Sequence, residues 1–131
     1  MKVVALVEKG GRRSFSCRLE QSISKHQLIG YGTSAKEAME DLEVTCQEMA
    51  SLFGDDSFLG LEKDYHFDVG ALFDFYSFLN IEGIAKLSGI SASVLRQYAS
   101  GVRTPREDKL REIEAGLHAA SQQIHSVVLC A

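Results

Sequence analysis

The chain has 131 residues, 45% of them hydrophobic, with 14 Lys and Arg against 18 Asp and Glu and a formal net charge of -4. Such a length and composition allow a packed core in one domain or two small ones. The net acidity excludes a general nucleic-acid coat protein, which binds through broad positive charge. The charge is uneven: residues 54 to 80 carry 6 acidic groups against 1 basic, whereas residues 81 to 131 carry 5 acidic against 6 basic.

The first eight residues contain only a five-residue apolar run, Val3 to Val7, before Glu8. That is too short for a signal peptide or a membrane span. Cys17, Cys46 and Cys130 are odd in number and widely separated. They indicate neither a disulfide framework nor a zinc site, and a reducing cytoplasm is the expected location. Gly10-Gly11 is a hairpin signal, and Phe15, Cys17 and Leu19 alternate with Ser16, Arg18 and Glu20, which predicts a two-stranded hairpin with one buried face. Residues 27 to 31 supply a third strand. Ser34-Ala-Lys-Glu37 is a capping box, and it opens a helix whose apolar stripe is Ala35, Ala38, Leu42, Cys46, Met49 and Phe53. Glu37, Glu40, Asp41, Glu43 and Glu48 fall on the opposite, solvated face. Residues 54 to 64 read as a loop bearing the acidic cluster Asp55, Asp56, Glu62 and Asp64. Tyr65, Phe67 and Val69 alternate with His66 and Asp68 as a fourth strand closing a small antiparallel sheet. Asp68 then caps a helix through Leu79, whose aromatic residues Phe73, Phe75, Tyr76 and Phe78 have core spacing and bridge the two halves.

From Ile81 to Pro105 the spacing is that of a helix-turn-helix. Ile84, Ala85 and Leu87 share one side of a short helix, Gly89 can take positive φ at its end, and Ser91 caps a second helix. The second helix buries Val94, Leu95 and Tyr98 and turns Ser91, Ala92, Ser93, Arg96 and Gln97 outward. These are short polar groups, a methyl and long hydrogen-bonding side chains, the kinds that read base edges in a major groove. After the loop Ser100 to Thr104, Pro105 is placed to open the next helix. Arg96, Arg103, Arg106, Lys109 and Arg111 face only Glu107 and Asp108 nearby, which predicts a local basic face on an acidic chain. Ser91, Ser93, Arg96, Gln97, Arg103 and Arg106 are therefore the candidate DNA-binding residues, with Arg103, in the loop after the helix, suited to phosphates.

The apolar tail Ile124 to Leu129 predicts a further strand over Ser126 to Cys130 that pairs with a second copy, since an exposed Val127-Val128-Leu129 edge invites aggregation. A dimer also suits a palindromic DNA site.

Residues 81 to 117 resemble the Cro and lambda-repressor class of helix-turn-helix domains. The residues concerned are Ile84-Ala85, Ser88-Gly89-Ile90-Ser91, Leu95, Tyr98, Ser100-Gly101, Arg103, Pro105, Leu110, Ile113 and Leu117; Ala99 stands where that class often has Glu. Three strands and a helix after a Gly-Gly turn, with Tyr31-Gly32-Thr33-Ser34-Ala35-Lys36-Glu37-Ala38 at the helix start, resemble the HicB antitoxins. That resemblance implies an α+β chain: a partial ribonuclease-H-like ββαβ domain over residues 1 to 69 and a helix-turn-helix domain with a dimerisation tail over residues 70 to 131. It also implies a partner, a small basic HicA-like toxin that cleaves mRNA, together with repression of the shared operon. The acidic cluster of residues 55 to 64 would suit a cationic partner. A stand-alone transcriptional regulator is the alternative.

An enzyme is not expected. Two-metal phosphodiester cleavage needs carboxylates holding ions about 4 Å apart, yet Glu8 and Glu20 lie near strand ends and no Asp stands in mid-strand. His26, His66, His118 and His125 form no metal-binding pattern, no Ser or Cys has a partner at catalytic spacing, and no glycine-rich phosphate loop is present, so no catalytic residue, metal or cofactor is assigned.

Overall fold

Strand β1 (Lys2–Lys9) alternates because its odd positions Val3, Ala5 and Val7 are fully buried while Val4, Leu6 and Glu8 are only half-covered. It pairs antiparallel with β2 (Phe15–Leu19), in register Ala5 to Leu19 and Val7 to Cys17, and β2 pairs antiparallel with β3 (Ile29–Gly32). The β1–β2 turn is longer than a two-residue hairpin. Gly10 N–H donates to the Ser14 carbonyl at 2.7 Å, and the left-handed residue is Arg13 (φ 55°) rather than either glycine. Between β2 and β3 an isolated bridge joins Ile23 and His26 across Ser24 and Lys25, both at positive φ. That turn delays the third strand by two residues relative to the sequence expectation.

Helix α1 (Ala35–Phe53) starts where predicted. The Ser34 hydroxyl accepts from Glu37 N–H at 3.1 Å, although the Glu37 carboxylate accepts from the Thr33 hydroxyl at 2.7 Å instead of closing a reciprocal box. Its stripe of Ala35, Ala38, Leu42, Cys46 and Ala50 is buried against the sheet. Phe53, expected on that stripe, is 52% exposed and stacks on His26 at 4.8 Å. Gly30 and Gly32 let α1 approach the β3 backbone directly. A Cβ on Gly30 would lie 2.6 Å from the Ala38 carbonyl oxygen and 2.8 Å from the Asp41 carbonyl carbon.

A 3-10 turn (Asp56–Phe58), whose Phe58 is buried, leads to β4 (Glu62–Phe67). The predicted loop is therefore shorter and the strand starts three residues earlier. The sheet is mixed, in order β3-β2-β1-β4, because β4 pairs parallel with β1, in register Val3 to Lys63 and Val7 to Phe67. The expected all-antiparallel sheet is corrected here. A crossover helix returns the chain to the end of the sheet where β3 began, so β4 must run as β3 and β1 do.

Val69, expected in the last strand, is the first residue of α2 (Val69–Phe75). Asp68 does cap that helix: its two carboxylate oxygens accept from Ala71 N–H at 2.8 Å and from Lys9 N–H at 3.0 Å, tying the helix start to the end of β1. Burial raises its pKa above the usual carboxylate range, against the pull of those two N–H groups. The helix stops four residues short of the expected Leu79, and Asp74 near its end accepts from Ala35 N–H at 2.8 Å.

The structure describes residues 1 to 131 as a computed structural model, and they divide into two units, Met1–Phe75 and Tyr76–Ala131. The break lies six residues beyond the expected one, since α2 packs with the first unit through Phe75 against Phe67 (ring centroids 5.3 Å apart). The aromatic run expected to bridge the halves is split by this break, and Phe78 is 77% exposed. The second unit holds α3 (Ile81–Ser88), α4 (Ala92–Ser100) and α5 (Glu107–His125), around Ile84, Ala85, Leu95, Tyr98 and Ile113. No helix is long and apolar enough to cross a membrane. The strand expected over Ser126 to Cys130 is absent. Those residues follow α5 as unpaired coil, because a strand requires a neighbour and none is supplied within the chain.

Candidate nucleic-acid interface

Short helices are marginal on their own, so α3 and α4 depend on caps and packing. Asn80 Oδ1 accepts from Gly83 N–H at 2.8 Å to start α3. Gly89, at φ 72°, ends it, and Ile90 N–H reaches back to the Ala85 carbonyl at 3.1 Å. A side chain at Gly89 would strain this left-handed turn. Ser91 then starts α4, its hydroxyl accepting from Val94 N–H at 3.2 Å. Leu95 and Tyr98 anchor the inner side of α4, and Val94 is half-buried. Leu87, expected inward on α3, is instead 40% exposed.

Helix α3 packs on α5, most closely at Ser88. Gly116 faces Ser88, and a Cβ there would fall onto the Ser88 hydroxyl and lie 3.0 Å from its backbone nitrogen. That hydroxyl is buried without a hydrogen-bond partner. Gly→Ala inside a helix normally gains about 1 kcal/mol, but here the steric cost exceeds it, and Gly116→Ala is expected to lower stability by roughly 1–2 kcal/mol. Ser88→Ala alone should be neutral or stabilising, since it removes an unsatisfied hydroxyl, and should recover part of the loss in the double variant. Urea unfolding of the three variants checks this, and a stabilising Gly116→Ala would contradict the packing.

On the outer side of α4, Ser93 and Arg96 are exposed, Ala92 and Gln97 are half-buried, and Arg103 and Arg106 are exposed beyond the helix. Ser91 is exposed too, but its oxygen is already engaged in the cap. Gly101 (φ 84°) ends α4, and Arg103 N–H donates to the Gln97 carbonyl at 3.3 Å, folding the loop back onto the helix end. Arg106 is the N-cap of α5, so Pro105 stands two positions before the first helical residue, Glu107, rather than at that first position as expected.

The predicted basic face is largely neutralised. Arg96 is paired with Glu82 of α3 at 2.5 Å, Lys109 with Glu112 at 3.1 Å, and Arg111 with Glu107 at 2.7 Å and also with Glu114. Of the five cations, Arg103 and Arg106 are the two outside these ion pairs. Glu112 and Glu114 were legible, lying three residues beyond their partners on one helix. Glu82 was not, because it meets Arg96 across two helices and fourteen positions.

The acidic cluster is split as well. Asp55 accepts from Ser57 N–H at 2.9 Å and from the Ser24 hydroxyl at 2.7 Å, and the Ser57 side chain first, then the Ser24 hydroxyl and that N–H, hold its pKa below the usual carboxylate range. Glu62 and Asp64 stand on β4, where Asp64 lies 3.0 Å from His66. Elsewhere in the first unit, burial pushes the Cys17 thiol up to about 12 and raises Cys46, which keeps both protonated at neutral pH. No three His, Cys, Asp or Glu side chains converge as a metal site. A groove of about 620 Å³ in the first unit is lined by the apolar side chains of Met39, Tyr65 and Phe75 and by polar Ser34, Lys36, Glu40, Glu43 and Asp74. The chain matches no protein-family model, no curated protein and no solved structure.

Proposed function

We propose that this chain is a DNA-binding transcriptional repressor of the antitoxin type. In this reading residues 76 to 131 bind operator DNA as a homodimer, and residues 1 to 75 mask a small basic, mRNA-cleaving, HicA-like toxin encoded beside it. The observation that carries the reading is the α3–α4 pair. It has two capped helices, a left-handed Gly89 between them, a buried inner side, and Ser93, Arg96 and Gln97 on the side away from the core. An exposed short helix with that set of side chains is shaped to enter a major groove. Arg103 and Arg106 then supply phosphate contacts that set orientation.

Gln97→Ala is expected to weaken binding to a duplex from the region upstream of the chain's own coding sequence by about 1–3 kcal/mol and to relax base preference, the signature of a lost base-edge contact. Arg103→Ala should instead weaken binding to all duplexes alike and lower the salt slope by about one unit. Fluorescence-anisotropy titrations at several salt concentrations separate the two. If both folded variants bind like the parent, the helix pair is structural and the repressor reading is wrong.

The split of the acidic cluster between the Asp55 turn and β4 favours a second reading, a stand-alone regulator without a toxin. Co-expression with a neighbouring small basic protein decides between them, since growth rescue by the full chain is expected only of an antitoxin.

A further inference from the structure

Arg96 is the one cation on the outer side of α4, and it does not project freely. Its guanidinium reaches back 2.5 Å to Glu82 in the first turn of α3, with both side chains more than half exposed. Resting on the DNA-binding reading above, we infer that Glu82 is a specificity-determining residue, one that withholds Arg96 from DNA phosphates so that binding depends on base contacts. A half-exposed cation on a recognition helix adds affinity for any duplex by displacing condensed counterions, whatever the sequence. Glu82 opposes this in two ways. It neutralises the guanidinium, and it ties it to the first turn of α3.

The α5 pairs act in the same sense, since Lys109 and Arg111 are likewise committed to Glu112, Glu107 and Glu114. Their partners lie on the same helix, however, at spacings common on any solvated helix. The Glu82–Arg96 pair crosses between the two helices of the motif and involves the helix that would enter the groove. It is therefore the pair able to change what the motif selects. An exposed ion pair is weak enough to exchange partners, so the tether is a bias rather than a lock.

The test uses the full chain and two duplexes of equal length, one of random sequence and one from the region upstream of its own coding sequence. Glu82→Gln is expected to raise affinity for the random duplex about threefold to tenfold at low salt and to steepen its salt dependence by about one unit, as one freed Arg–phosphate contact requires. Affinity for the upstream duplex should rise less, so the ratio of the two falls. In Glu82→Gln/Arg96→Gln both the affinity and the slope for random DNA should return to parental values. Glu82→Gln binding like the parent overturns the inference and leaves the repressor reading standing. The same steepening in the double variant also overturns it, because the effect would then be loss of a repelling carboxylate rather than release of Arg96. Failure of every form to bind either duplex at low salt overturns the DNA-binding reading and the inference with it. A purely structural brace would change the unfolding midpoint and leave the salt slope unmoved.

Discussion

Gly30→Ala is expected to abolish stable folding of residues 1 to 75. The added Cβ would meet the Leu42 backbone nitrogen, the Ala38 carbonyl oxygen at 2.6 Å and the Asp41 carbonyl carbon at 2.8 Å. All three atoms belong to the backbone of α1, so no rotamer change relieves the collision. The helix itself must lift from β3. Leu42 and Cys46, which α1 buries against the sheet, would then lose their packing, as would Leu28 beside β3. Overpacking a core against movable side chains costs about 1–3 kcal/mol, and against a fixed backbone the cost should reach roughly 4 kcal/mol or more, a large part of the stability of a small domain. Loss of the near-UV dichroism contributed by the Tyr and Phe residues of the first unit, with the helices of residues 76 to 131 still detected in the far-UV, is the expected measurement. A variant melting within about 3 °C of the parent would mean that α1 does not sit on the β3 backbone as described.

Removing residues 126 to 131 is expected to convert the proposed homodimer into a monomer and to reduce affinity for the proposed operator about a hundredfold. Val127, Val128 and Leu129 are 60%, 91% and 88% exposed, and Ile124 at the end of α5 is 64% exposed. Four neighbouring apolar side chains left in water form the kind of patch that marks an interface. Beyond Val127, whose N–H donates to the Ile124 carbonyl at 3.1 Å, the segment is coil outside any strand, with backbone groups to offer a second copy. Two linked helix-turn-helix units gain about 10²-fold or more over one through effective concentration, and that gain goes with the dimer. Helix α5 ends at His125 and so remains whole in the shortened chain. Sedimentation at tens of micromolar reads the outcome directly: a full chain that is already monomeric, or a shortened chain that stays dimeric, removes the tail from the interface.

What the sequence determined by itself was whatever neighbours along the chain decide. The alternation of Val3, Ala5 and Val7 and of Phe15, Cys17 and Leu19 marks a buried strand face, because successive side chains point to opposite faces. Ser34, Asn80 and Ser91 are placed where helix starts leave N–H groups without partners, and two of those three caps, with the α3–α4 turn at Gly89, were readable from spacing alone. The outward positions Ser93, Arg96 and Gln97 followed from the buried Leu95 and Tyr98 by helical period. Tertiary structure decided what depends on residues far apart in sequence. That β4 lies parallel to β1 rests on a crossover whose direction no local pattern encodes. Val69 reads as the end of a strand until Asp68 is seen bonded to both Lys9 and Ala71, which turns the chain into α2 one residue earlier. Glycines 30 and 116 look like weak points in a strand and a helix, and only the packed neighbours Ala38 and Ser88 make them necessary. The charge of the candidate interface changed most. Counting cations gave a basic face, but a charge acts through its distance to every other charge, and Glu82 comes within reach of Arg96 only when α3 and α4 fold against each other.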